Sequence, residues 1–289
     1  MEKQHKGILS AAALVLCIIF YWMFAAPDVA ELSLSSSEQS IERGEYLVHA
    51  GGCISCHQGE GAPGLSGGMA LASDFGTFYV PNITPDVSTG IGGWSSREFL
   101  MALKHGRTPE GSFYYPAFPY RAYSGMLDQD VIDIAAYLLA QEPVVHAVPE
   151  HDLSMWLSRW LMAGWNRIAD FSAKLPILDT EDPQVLRGAY LARNLGHCGE
   201  CHTPRNALGM LQQSREFAGA TMGESHADAI NSEALENWSR GDFAFFLLLG
   251  MKPDGEFIGG EMESVIEHNT AMLSDEDRDA VAAFFKREP

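Results

Sequence analysis

Apolar residues follow three patterns along the chain. From Ile8 to Ala26 runs a stretch of 19 residues without a charge, ILSAAALVLCIIFYWMFAA. At about 1.5 Å rise per residue it reaches roughly 28 Å, close to the hydrocarbon thickness of a bilayer. Tyr21 and Trp22 stand near its far end, as interface anchors do, and Lys3 and Lys6 precede it. This predicts an uncleaved single-pass anchor over residues 1–30 in the inner membrane, with the remainder in the periplasm. A cleaved signal peptide is the competing expectation, but its apolar part is shorter, and here the small pair Ala25-Ala26 runs straight into Pro27. The second pattern is helical: LDQDVIDIAAYLLA from Leu127 and LSDEDRDAVAAFF from Leu273 carry acidic first turns and apolar residues three and four apart. The third lies between them. LSMWLSRWLMAGWNRIADF puts Leu153, Trp156, Leu157, Trp160, Leu161, Gly164, Ile168 and Phe171 on one helical stripe. A helix packed across its neighbours explains that stripe more simply than a docking helix for a partner subunit or a membrane surface.

The two similar C-terminal helices close a longer repeat of about 145 residues. Arg43-Gly44-Glu45-Tyr46-Leu47 matches Arg187-Gly188-Ala189-Tyr190-Leu191, and Trp94-Ser95-Ser96 matches Trp238-Ser239-Arg240. Gly106, Pro109, Gly111 and Phe113 match Gly250, Pro253, Gly255 and Phe257 at the same spacing. No period-2 strand pattern stands out. The expectation is an all-α fold of two tandem cytochrome c-like domains behind one N-terminal transmembrane helix: residues 38–142, a linker with a Trp-rich helix at 143–182, and residues 183–289.

Each repeat contains one Cys-x-x-Cys-His run, Cys53-Ile54-Ser55-Cys56-His57 and Cys198-Gly199-Glu200-Cys201-His202. Thiols one helical turn apart can add to the two vinyl groups of one porphyrin, and the adjacent His then falls beneath the iron. Zinc pairs lie 15–20 residues apart, far closer than these two motifs. Two covalent haem c groups are therefore expected, with His57 and His202 as proximal iron ligands. Cys17, inside the uncharged run, reads as a small apolar filler.

A second axial ligand is needed for electron transfer at low spin, commonly Met. Met262, twelve residues after Gly250 in the GGEME segment, fits that place in the second repeat, with Met272 as rival. In the first repeat the matching position is Phe118, which cannot bind iron. Met126, Met101 and His105 remain as candidates there, and Met126 is preferred because it lies between the ligand loop and the last helix. If none of them binds, the first iron is open, a place for catalysis.

The formal charge is −19, which excludes a phosphate-binding surface and nucleic acid as a partner and suits a basic protein partner instead. From residue 41 onward the chain resembles the cytochrome c subunits of periplasmic alcohol, aldehyde and gluconate dehydrogenases and their dihaem relatives. The resemblance rests on RGEYL before CISCH, FGTFYVPNITPD at 75–86, TGIGGW at 89–94, YYPAFPY at 114–120, RGAYL before HCGECHTPRN, and GGEME at 259–263. It implies an electron carrier that takes single electrons from a periplasmic dehydrogenase or other donor and passes them to a downstream cytochrome or oxidase. It points to Met262 as distal ligand and places His197 in the haem environment. The better-known members carry three haems and this chain has two motifs. Two alternatives stand beside this expectation. One is a dihaem oxidoreductase, peroxidase-like or thiosulfate-oxidising, acting at a first haem without a Met ligand. The other is a structural subunit that anchors a dehydrogenase through the tryptophan helix.

Overall fold

A computed structural model of the chain describes residues 2–59, 61–172, 175–223 and 225–287. Helix α1 (Glu2–Phe24) leads into α2 (Glu38–Ala50) and the short α3 (Cys53–His57). Strands β1 (Ala70–Ser73) and β2 (Gly76–Tyr79) follow, then α4 (Ser96–His105), α5 (Tyr120–Tyr123) and α6 (Asp128–Leu139). A two-residue strand β3 (Asp152–Leu153) and α7 (Arg159–Ser172) bridge to the second half. There α8 (Pro183–Ala189) continues as a π-helical turn over Tyr190–Leu195, followed by α9 (Gly199–His202), β4 (Ala220–Met222), β5 (Ser225–Ala227), α10 (Arg240–Leu249), α11 (Glu261–His268) and α12 (Asp275–Phe285).

Local chemistry explains the repeated residues. Ser95 and Ser239 each cap a helix and form a reciprocal capping box, with Glu98 and Asp242 respectively. Both helices end on a left-handed glycine, Gly106 at φ 60° and Gly250 at φ 71°, where a side chain would be strained. The G-P-G-F spacing then closes a small loop, bridged at Arg107–Phe113 in one copy and Met251–Phe257 in the other.

The Arg-Gly-x-Tyr-Leu segments hold the core together. A Cβ on Gly44 would sit 1.9 Å from the Asp133 carbonyl oxygen, and one on Gly188 the same distance from that of Ala280. Only glycine lets α2 cross α6, and α8 cross α12, so closely. The neighbouring arginines bind the same C-terminal helices: Arg43 pairs with Asp130 and Asp133, and Arg187 grips Asp277 through two bonds of 2.8 and 2.6 Å. The tyrosines cross over. Tyr46 donates to Asp277 at 2.6 Å, and Tyr190 donates to Asp130 at 2.5 Å. The reciprocity ties the two repeats into one apolar cluster through Leu47, Leu191, Leu195, Val131 and Phe284.

Three expectations are corrected. The fold is not all-α, because β1, β2 and β3 form one antiparallel sheet and β4 and β5 another. These strands are two to four residues long, too short for alternation to register in the sequence. Among the described residues, no helix is long and apolar enough to cross a membrane. Helix α1 stops at Phe24, so Ala25 and Ala26 of the uncharged run fall outside it. Its last turn is held by protein: Arg107 donates to the Phe24 and Ala25 carbonyls, and Arg167 to that of Trp22. The tryptophan stripe, finally, is not one helix. Leu153 pairs with Gly76 in the sheet, and α7 begins only at Arg159. The face of α7 that is buried carries Met162, Ala163 and Ala169, whereas Trp160, Leu161, Ile168 and Phe171 of the stripe are exposed.

Candidate haem sites

The first Cys-x-x-Cys-His run is helical throughout and the second is helical from Gly199 with Cys198 as its N-cap, so in each the two thiols and the imidazole follow within little more than one turn. The residue before the first cysteine has left-handed backbone in both copies: Gly52 at φ 71° and His197 at φ 40°. Glycine adopts this freely, whereas histidine is held there by its surroundings. The His197 ring meets the edge of Tyr123 at 5.4 Å, and Tyr123 donates its hydroxyl to the Gly51 carbonyl at 2.7 Å. A Cβ on Gly52 would lie 3.1 Å from His197 Nε2. The two motifs thus stand back to back, turn against turn. Ser55, inside the first motif, donates to Asn269 at 3.0 Å, and His49 Nδ1 donates to the His268 carbonyl at 2.8 Å, both across the same boundary.

The donor set suits covalent haem. All four motif cysteines are free thiols rather than disulfides. Burial pushes Cys53 and Cys198 up to about 12 and Cys201 up to about 11, with its neighbour Cys56 raised as well. Burial also lowers His57 to about 4, and shifts His202 downward. His57 Nδ1 donates to the Pro81 carbonyl at 2.8 Å, and His202 Nδ1 to that of Asp228 at 2.6 Å. Both imidazoles are therefore neutral, fixed in one tautomer, with Nε2 left for a metal. Among the described residues no cluster of three His, Cys, Asp or Glu side chains could hold a metal ion.

The candidate distal ligands fall in different surroundings. Met126 is fully buried just ahead of α6, in the shared core. Met101 is buried on α4, and His105 ends that helix half-buried, its titration lowered by burial and by Lys104. Phe118 packs edge-on against Tyr114 and Tyr123. Met262 lies half-buried in the first turn of α11, whereas its rival Met272 is exposed. Sequence reasoning missed Tyr123 and the partnership of Gly52 with His197. The only signal for them was the left-handed glycine before the first cysteine, which means nothing until its counterpart is seen opposite.

Residues 41–142 match the cytochrome c family. The chain is 45% identical to the dihaem c-type cytochrome of Cereibacter sphaeroides, over 86% of this chain and 85% of that one. It is 37% identical to the cytochrome c subunit of gluconate 2-dehydrogenase from Pantoea cypripedii, over 87% of this chain and 60% of the relative. With the cytochrome c subunit of the quinone-linked alcohol dehydrogenase of Gluconobacter oxydans it shares 33% identity, over the whole of this chain and 62% of the relative. The chain thus spans about three fifths of those dehydrogenase subunits. The chain belongs to the cytochrome c family as an electron-transfer protein with covalently bound haem c.

Proposed function

We propose that the chain binds two haem c groups, one in residues 38–142 and one in residues 183–289, and relays single electrons from a dehydrogenase or another donor to a downstream cytochrome or oxidase. Haem c supplies one-electron chemistry at its iron. The chain supplies the rest. Cys53 and Cys56 hold one porphyrin and Cys198 and Cys201 the other, while His57 and His202 are the proximal ligands, aimed by their bonds to the Pro81 and Asp228 carbonyls. Met262 and Met126 are the distal ligands. The dehydrogenase donor is carried over from the gluconate and alcohol dehydrogenase relatives. We place the haem modules in the periplasm, the compartment implied by the resemblance to cytochrome c subunits of periplasmic dehydrogenases.

The observation that carries this proposal is the back-to-back packing of the two motifs through Gly52, His197 and Tyr123. Two redox groups attached at touching segments are coupled through a few bonds and one ring contact, which favours internal transfer over two independent sites. The test is haem content by pyridine haemochrome, followed by an optical and EPR redox titration that watches the Met-to-ferric-iron charge-transfer band. Two haems per chain, both low-spin, with half the band lost in Met126→Ala and half in Met262→Ala, are expected. A high-spin haem in the unaltered protein would remove the relay reading and turn the first site into a candidate enzyme.

A further inference from the structure

The repeat gives the same loop twice in unequal surroundings. In the first copy the loop after α4 is covered. Phe113 is buried, with the Arg107 guanidinium 3.5 Å over its ring, the Phe24 ring edge-on at 6.0 Å, and its carbonyl accepting from Arg159 at 2.7 Å. An apolar surface bearing arginines has settled on it, contributed by α1, α7 and the loop itself. In the second copy the counterpart, Phe257, is 69% exposed. Met251 stands where Arg107 did, and its bridge partner Phe257 is bare rather than covered by α1 and α7 as Phe113 is. The loop also carries charge. Asp254, Glu256, Glu261 and Glu263 are all exposed around it, and Lys252 is the single cation between Gly250 and Glu263.

This bare loop lies beside a haem attachment point. It runs directly into Met262 at the start of α11, and Glu261 there accepts from Ser225 at 3.1 Å, three residues before the Asp228 carbonyl that receives His202 Nδ1. The geometry points to the Phe257 loop as the docking surface for a redox protein that presents a basic patch around an apolar centre. The covered copy supplies the template for the chemistry that fits such a loop: a ring or aliphatic group on the Phe, with guanidinium or ammonium groups around it. The acidic rim adds the long-range attraction that steers a cation to the site. An aromatic anchor ringed by charge is also how short-lived protein contacts concentrate their affinity. This inference rests on the electron-relay reading and assigns the face by which the second site meets its partner.

The test uses the full haem-loaded chain, reduced, in stopped-flow with a strongly cationic c-type cytochrome as acceptor, and with the same acceptor after acetylation of its lysines. Glu256→Lys/Glu263→Lys is expected to slow transfer to the cationic acceptor by about tenfold at low salt and to flatten its dependence on ionic strength. Phe257→Ala should slow it several-fold without changing the salt dependence. The acetylated acceptor should react slowly with all variants alike, and Glu42→Lys/Glu45→Lys, on the exposed side of α2, should match the unaltered protein. Equal losses from the α2 variant, or unaltered rates in both loop variants, would overturn the docking surface. Haem content and the one-electron titration, run on the same samples, separate the two ideas. If those fail the relay reading falls, whereas if they hold and the loop variants react normally only the surface falls.

Discussion

The two repeats share their motifs, caps and helix crossings, yet they differ in what lies against them. Repeat one is enclosed: α1 and α7 pack on its ligand loop, and a three-stranded sheet backs the segment after its haem motif. Among the described residues repeat two has a two-stranded sheet, and Phe257 in its loop is exposed. The shared residues answer to the haem and to the helix crossings, which are the same task done twice. The divergent residues answer to neighbours. Where the repeat keeps a residue type, the cause is therefore internal, and where the same residue type is buried in one copy and bare in the other, the cause lies outside the repeat.

The largest contrast is at the paired phenylalanines. Phe113→Ala removes a buried ring together with the cation packed on it and is expected to cost about 3–5 kcal/mol. Phe257→Ala removes an exposed ring and should stay within about 0.5 kcal/mol. Chemical denaturation of the haem-loaded variants checks both. Equal costs would mean that the second loop is covered in solution, and the contrast between the repeats would be lost.

The glycine crossings probe the likeness instead. Gly44→Ala and Gly188→Ala each drive a methyl group into a backbone carbonyl oxygen, and each should destabilise by about 1–3 kcal/mol or more as the helices are forced apart. Matching midpoint shifts in the two variants are expected. A shift in one alone would show that the π-helical turn after α8, which has no counterpart in α2, relieves the crossing in the second repeat.

Much of this was legible in the residues. The Cys-x-x-Cys-His runs, the Ser caps and the left-handed glycines are local, and local chemistry fixes them wherever the chain goes. Arg-Gly-x-Tyr-Leu could be seen as a repeat but not understood, because Gly44 answers to Asp133 and Tyr46 to Asp277, partners that are 89 and 231 residues away in sequence. The sheets were invisible for a different reason. Leu153 is a strand residue only because Phe75 and Gly76 turn back beside it, so a stripe that fits a helix was broken by pairing with a distant segment. The uncharged run at the N-terminus misled through length: its sequence outlasts its helix by two residues, and tertiary hydrogen bonds to Trp22, Phe24 and Ala25 take the end of it.

The crossed tyrosines probe the boundary between the repeats. Tyr46→Phe and Tyr190→Phe each delete one hydrogen bond to a carboxylate across the boundary between repeats, and each should cost about 1.5–3 kcal/mol. The Tyr46 variant has a pH signature as well. Burial pushes the Asp277 carboxyl up, but the bonds from Arg187 and Tyr46 outweigh it and hold the group below its ordinary 3.8. A depressed carboxyl stabilises the fold above its unfolded value, and that contribution is lost as pH falls below 3.8 through the folded value. Removing the Tyr46 hydroxyl takes away one of the two side-chain partners that lower Asp277, so acid unfolding of Tyr46→Phe should begin at higher pH than in the unaltered protein. An acid arm that stays in place while the neutral-pH stability drops would mean that Arg187 alone sets the carboxyl, leaving Tyr46 to join the repeats without tuning their response to acid.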